Sequence, residues 1–335
     1  MMEYSSMFSE YIIGLIDLKR SIGYKYQTEA IDLKRFDLFC RTHYPGMNVM
    51  SREIVLDWSK QRTGEHPSTQ QGRVTPVREL AKYMISNGHQ AFILPKGIVP
   101  KCPRYLPYIY SDDELKRIFF QIDQCHYCVE VPYRHYVMPL FFRLLYCCGL
   151  RLSEARTIKV KDVDMENGVI TLTNTKLDKQ RQIPMSVRLH ERFITYCSNV
   201  HLCSKPDDWF FPGYKDKPMT LSNVEKNHRR FLWQAGISHC GRCRLGERGA
   251  PNVHSYRHTF AVHCLRGWVL EGKNTQAYLP VLQAYLGHVS YSDTAYYLHL
   301  TIDLFQDITT RLNNEFGDII PKIGNPNDKG YEKSY

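Results

Sequence analysis

No run of apolar residues in this sequence is long enough to cross a bilayer, and the N-terminus, MMEYSSMFSEY, lacks the basic-then-apolar order of a secretory signal. A membrane class is thereby set aside, and a cytoplasmic protein is expected. A disulfide framework is missing too: the 11 cysteines are an odd number scattered through apolar contexts such as Cys147-Cys148, which fits reduced, buried thiols. The irregular segment HCGRCRLGERGAP, residues 239–251, lacks the lysine-serine/threonine ending of a phosphate loop, which argues against nucleotide binding. No carboxylate cluster stands out that would hold magnesium, and no cofactor is expected. Cys240-x-x-Cys243 and Cys125-x-x-Cys128 do have zinc-ligand spacing. Such a pair alone is a weak signal, so no metal site is assigned.

What is present begins with positive charge. Lys and Arg number 44 against 34 Asp and Glu, a formal net charge of +10. That excess favours a polyanion through counterion release, before any sequence is read. The length, 335 residues, allows two domains, each burying its own core.

Residues 1–94 read as four helices. Phe8, Tyr11, Ile12, Leu15 and Leu18 recur at helical spacing, as do Ile31, Leu33, Phe36 and Phe39. Ser51 precedes a shorter run with Ile54, Val55 and Trp58, and a further helix from about Ser68 to Ser86 stops at Asn87-Gly88. The basic residues here, including Lys25, Lys34, Arg35, Arg41, Arg62, Arg73 and Arg78, are read mainly as solvated helix surface. Four prolines in LPKGIVPKCPRYLP then mark a linker over residues 95–107.

The second domain, residues 108–316, opens on Ser111-Asp112-Asp113-Glu114, a capping box. A buried helix over Tyr136–Cys148 is broken by Gly149, which puts Arg151 at the start of the next helix with Glu154 within reach to orient it. The β-branched run Val169-Ile170-Thr171-Leu172-Thr173 and the following RQIPM predict a hairpin with Lys176 near its tip. Helices around Val187–Tyr196 and Leu221–Gln234 follow. The fold class expected is mainly α with a small antiparallel β-sheet, an all-α domain preceding an α+β one. An amphipathic helix over TIDLFQDITTRLNNEF closes the domain, and residues 317–335 form a polar tail.

The chemistry concentrates between His254 and Tyr297. His254, Arg257 and His258 stand at i, i+3 and i+4, one face of a helix, and a cation beside two imidazoles suits a phosphate. Leu286-Gly287-His288 ends another apolar run, and Tyr296-Tyr297 follows in a turn-rich segment that can bring a phenol to the same point.

With Arg151 and Lys176, these residues resemble the tyrosine recombinases, the integrase class of phages, transposons and chromosome-dimer resolvers. The resemblance covers roughly residues 108 to 300. It makes Arg151 the first arginine, Lys176 the hairpin lysine of a K-x-x-K-x-R-x-x-P run, His254 and Arg257 the H-x-x-R pair, His288 the LGH histidine and Tyr297 the nucleophile. Tyr297 is preferred to Tyr296 because it lies nine residues after His288 and two before His299. The resemblance implies that residues 1–94 are a core-binding domain closing over double-stranded DNA. It further implies a 3′-phosphotyrosine intermediate formed without metal or ATP, integration or excision of a mobile element, and self-association as a tetramer, with accessory proteins open. His254 is then the candidate base and Lys176 the candidate acid, while His258 reads as core or supporting. Two alternatives stay open: a type IB topoisomerase-like nicking and resealing enzyme, and a DNA-binding protein on the same scaffold without chemistry.

Overall fold

The structure is a computed structural model that describes residues 4–100, 106–173, 180–239 and 249–300. The chain divides into two units, Met1–Arg104 and Tyr105–Tyr335. The predicted hairpin tip with Lys176, the Cys240-x-x-Cys243 pair, the helix expected after Leu300 and the polar tail lie outside the described residues.

In the first unit the apolar periodicity becomes helices α1 (Ser9–Ser21), α2 (Gln27–His43), α3 (Arg52–Ser59) and α4 (Pro67–Ser86). They bury one shared core that includes Ile12, Leu15, Leu33, Phe36, Trp58, Val77 and Leu80. Pro67 stands in the first turn of α4, where a missing N–H costs nothing. Gly88, at φ +84°, ends that helix. Leu18 and Ile31, expected in the core from their spacing, are instead 47% and 42% exposed, because each helix buries a narrower stripe than its apolar pattern suggests.

Arg73 also departs from the expected solvated surface. Its side chain is 4% exposed, donates through Nε and Nη2 to Glu65 at 2.6 and 2.8 Å, and donates to the carbonyls of Trp58 and Lys60. This guanidinium ties the α3–α4 connection together and is not free for DNA.

In the second unit, helix α5 (Asp112–Asp123) carries the capping box from Ser111 and Glu114. Helix α6 (Arg134–Cys147) buries Val137, Leu140, Phe141, Phe142, Leu144 and Leu145. Its last residue, Cys147, is exposed, contrary to expectation, whereas Cys148 is buried. The short α7 (Leu152–Arg156) leads into strands β1 (Val163–Asp164), β2 (Val169–Leu172) and β3 (Arg181–Pro184), antiparallel in the order β1-β2-β3. The register sets Ile170 opposite Ile183 and Leu172 opposite Arg181. With only two residues, β1 shows no alternation that a sequence pattern could reveal.

Helices α8 (Val187–Val200), α9 (Leu221–Gln234), α10 (Ser255–Leu270), α11 (Thr275–Leu286) and α12 (Tyr291–Ala295) follow, and a 3-10 turn spans Tyr296–Leu300. The core is strongly aromatic around Phe142, whose ring meets those of Phe141, Phe231, Tyr256 and His228. A second apolar cluster joins α10 and α11 through Val262, Leu265, Leu279, Leu282 and Leu286, and Tyr297 belongs to it. No helix among the described residues is long and apolar enough to cross a membrane.

Candidate active site

Two glycine turns deliver the site. Gly149, at φ +56°, follows α6, and a side chain there would run into Phe260. The chain therefore turns sharply and presents Arg151 at the N-terminus of α7. The Glu154 carboxylate accepts the Arg151 backbone N–H at 2.9 Å and its Nη1 at 2.7 Å, so the arginine is held at both ends of its side chain. Gly287, at φ +67°, ends α11. Its N–H donates to Ala284 O, and the N–H of His288 donates to Gln283 O, each at 3.1 Å, which is the Schellman arrangement for a left-handed residue after a helix.

The last carbonyls of a helix lack intrahelical partners and carry its negative end. Here Tyr285 O, Leu286 O and Gly287 O accept, in order, from Arg181 Nε at 3.0 Å, Arg257 Nη2 at 2.7 Å and Arg151 Nη2 at 2.7 Å. Arg257 is 1% exposed and donates its other arm to Gly149 O at 2.7 Å, linking the two glycine turns. Glu154 is bonded by Arg151 and Arg181 while Arg257 bonds only carbonyls, so three guanidiniums with one carboxylate leave the cluster a surplus of two positive charges (3 − 1). Burial, then repulsion from Arg151, pulls Arg257 down to about 10, which leaves it charged at neutral pH.

Tyr297 lies buried beside this cluster, 3% exposed. Its hydroxyl is 2.9 Å from His258 Nδ1. The His288 ring stacks at 6.1 Å from the phenol ring, and His288 Nδ1 is 2.8 Å from the buried Thr294 hydroxyl. His254 keeps an exposed edge and packs its ring against His258 at 4.5 Å. Burial pushes the Tyr297 phenol above its usual range, with Arg257 and Arg151 pulling the other way. The imidazoles move in the opposite sense: burial first, then neighbouring charges, lower His254 to about 4, His258 to about 3 and His288 to about 3. All three are neutral at pH 7 and able to accept or relay a proton.

Of the residues singled out from sequence, Arg151, His254, Arg257, His288 and Tyr297 therefore gather around α10 and the end of α11, while Lys176 lies outside the described residues. Two neighbours make contacts that their spacing in the sequence did not single out. His258, read as core or supporting, is the histidine bonded to the phenol, and its place one turn after His254 was the available signal. Arg181 was quoted only as part of a run, yet it shares the inward side of β3 with Ile183, a period-2 placement visible in the sequence. Among the described residues no group of three or more His, Cys, Asp or Glu side chains is arranged to hold a metal ion.

Fold and site define a mainly helical, DNA-recombinase-like chain whose arginine cluster surrounds a phenol. It belongs to the Phage integrase family, which it matches over residues 111–303, and so is a tyrosine recombinase. The putative integrase/recombinase y4rB of Sinorhizobium fredii is 28% identical over 326 residues, which cover 93% of this chain and 99% of that protein. A tyrosine recombinase of Pseudothermotoga lettingae is 26% identical over 300 residues, covering 88% of this chain and 92% of the other. In fold, the chain is similar to the Tn1549 transposon integrase solved with transposon right end DNA, with a TM-score of 0.62, 17% identity, and coverage of 90% of this chain and 99% of that one.

Proposed function

We propose that this protein is a site-specific recombinase that cleaves and rejoins double-stranded DNA through a 3′-phosphotyrosine on Tyr297, to integrate or excise a mobile element. The observation that carries this reading is a phenol 2.9 Å from a neutral imidazole and flanked by the Arg151 and Arg257 guanidiniums. In the forward step the Tyr297 oxygen attacks the scissile phosphorus and the bond from phosphorus to the 5′-oxygen breaks. The phenol proton passes to His258, in the tautomer protonated at Nε2, and the leaving 5′-oxygen takes a proton from Lys176. This moves the role of base from His254, the choice made from sequence, to the histidine that touches the phenol.

Arg151 and Arg257 stabilise charge on the non-bridging oxygens, with donors left over after their carbonyl bonds. His288 and His254 complete the phosphate's surroundings as neutral hydrogen-bonding rings. Positive charge that a divalent ion brings to other phosphoryl transfers comes here from side chains, and the phosphotyrosyl bond retains the energy of the diester. Rejoining by a 5′-hydroxyl therefore needs neither metal nor ATP in this reading.

Residues 1–94 are read as the core-binding part of a DNA clamp joined through 95–107, and the chain as a tetramer on DNA that works in the cytoplasm, with accessory proteins able to set direction. The family membership favours this over a nicking and resealing topoisomerase or a non-catalytic binder. The test is covalent trapping in EDTA on an end-labelled, nicked duplex from the ends of the protein's own element. A denaturation-resistant, protease-sensitive adduct is expected from wild type and Tyr296→Phe and not from Tyr297→Phe. Binding without any adduct would overturn the reading in favour of a DNA-binding scaffold.

A further inference from the structure

Arg181 opens β3 opposite Leu172, at the mouth of the β2–β3 hairpin, and its side chain is 11% exposed. Nη1 and Nη2 donate to the two Glu154 carboxylate oxygens at 3.0 and 2.7 Å, while Nε donates to Tyr285 O at 3.0 Å. Glu154 is itself buried and accepts from Arg151 on its other side. A ring of contacts thus closes from Arg181 through Glu154 and Arg151 to Gly287 O, and back along the end of α11 to Tyr285 O. The approach is close enough that a Cβ on Gly287 would lie 2.7 Å from Arg181 Nη1.

The charge arithmetic gives this ring a purpose. Arg151 and Glu154 alone form a neutral pair, and a buried carboxylate with one free side would turn to take both arms of its single partner. With Arg181 present, the carboxylate is shared between two guanidiniums, and Arg151 keeps an arm on Gly287 O and a net charge toward the phosphate.

We propose that Arg181 is a positioning residue for DNA cleavage: by occupying the far side of Glu154 and the Tyr285 carbonyl, it holds Arg151 and the Gly287-His288 turn where the phosphate meets them. Arg181 touches neither phosphate nor phenol in this scheme. The inference rests on the function proposed above, and its test separates the two.

The test measures, for wild type, Arg181→Lys and Arg181→Gln, the single-turnover rate of adduct formation on the nicked duplex, the DNA concentration for half-binding, and the melting temperature. Arg181→Gln is expected to slow the adduct step by about 100-fold and Arg181→Lys, which keeps the charge but not the fork, by about 10-fold. Half-binding should shift by less than about threefold in either variant, since the phosphate contacts elsewhere on the protein persist. Unchanged rates would overturn the proposal, and so would rate, binding and melting temperature falling together in both variants, the mark of a purely structural residue. Should Arg181→Gln not fold, Arg181→Lys alone decides by the same rate-against-binding comparison. A wild type that binds and makes no adduct overturns the function itself and leaves nothing to position. Slowed variants beside an active wild type support both.

Discussion

The hydrogen bond between Tyr297 and His258 puts a neutral imidazole on a buried phenol beside the arginine cluster. A phenol raised by burial is a poor nucleophile unless its proton has somewhere to go as attack proceeds. His258→Gln is therefore expected to slow adduct formation by about 100-fold or more, the usual worth of a positioned proton acceptor, with DNA binding retained. His254→Gln should slow it less. The reverse order, read from single-turnover rates, would return the base to His254. The set of residue types was legible in the sequence because spacing alone places His254, Arg257 and His258 on one helical turn. Which imidazole meets the phenol was not legible. That depends on how the turn after α12 lays Tyr297 across α10, a tertiary contact of 39 residues' separation.

At the scale of elements, the end of α11 organises the site, since three successive carbonyls there draw in three arginines from separate parts of the chain. Gly287 makes that possible twice over, by its positive φ and by leaving room for Arg181. Gly272 offers a matched comparison, with φ +69° and nothing within 4 Å of an added Cβ. Gly272→Ala should cost about 1 to 2 kcal/mol for left-handed backbone and leave cleavage intact. Gly287→Ala should cost more in equilibrium denaturation and also slow the adduct step. Equal losses in the two variants, with cleavage intact in both, would deny the close packing a role. Capping boxes, glycine stops and the long amphipathic helices of both units could be read from local pattern. The two-residue β1 could not, being too short to alternate, nor could the inward turn of Arg73, which its bonds to Glu65 and to the carbonyls of Trp58 and Lys60 decide.

Over the whole molecule, the net charge of +10 and the neutral histidines both work against acidification, the first through self-repulsion and the second through protons that the unfolded chain takes up more readily than the folded one. His254, His258, His288 and the core residue His228 sit at about 4, 3, 3 and 3 in the folded state, below their ordinary value of 6.5. Between those limits the unfolded chain binds more protons than the folded one, so stability must fall as pH drops from about 6.5 toward 4. Glu154, held below the usual carboxylate range because its arginine bonds outweigh its burial, loses its contribution in the same direction as it protonates. Thermal melts of the full chain across this range should show a steady decline, flattened in His258→Gln. A melting temperature that holds or rises on acidification would contradict the neutral state of these rings.

One measurement bears most directly on the central claim, that Tyr297 is the residue joined to DNA. The trapped adduct is digested with protease and nuclease, and the peptide spanning Tyr291 to His299 is sequenced by fragmentation mass spectrometry. A 3′-linked nucleotide mass is expected on Tyr297, with Tyr296 unmodified. The mass on Tyr296, or on a peptide from any other part of the chain, would contradict it.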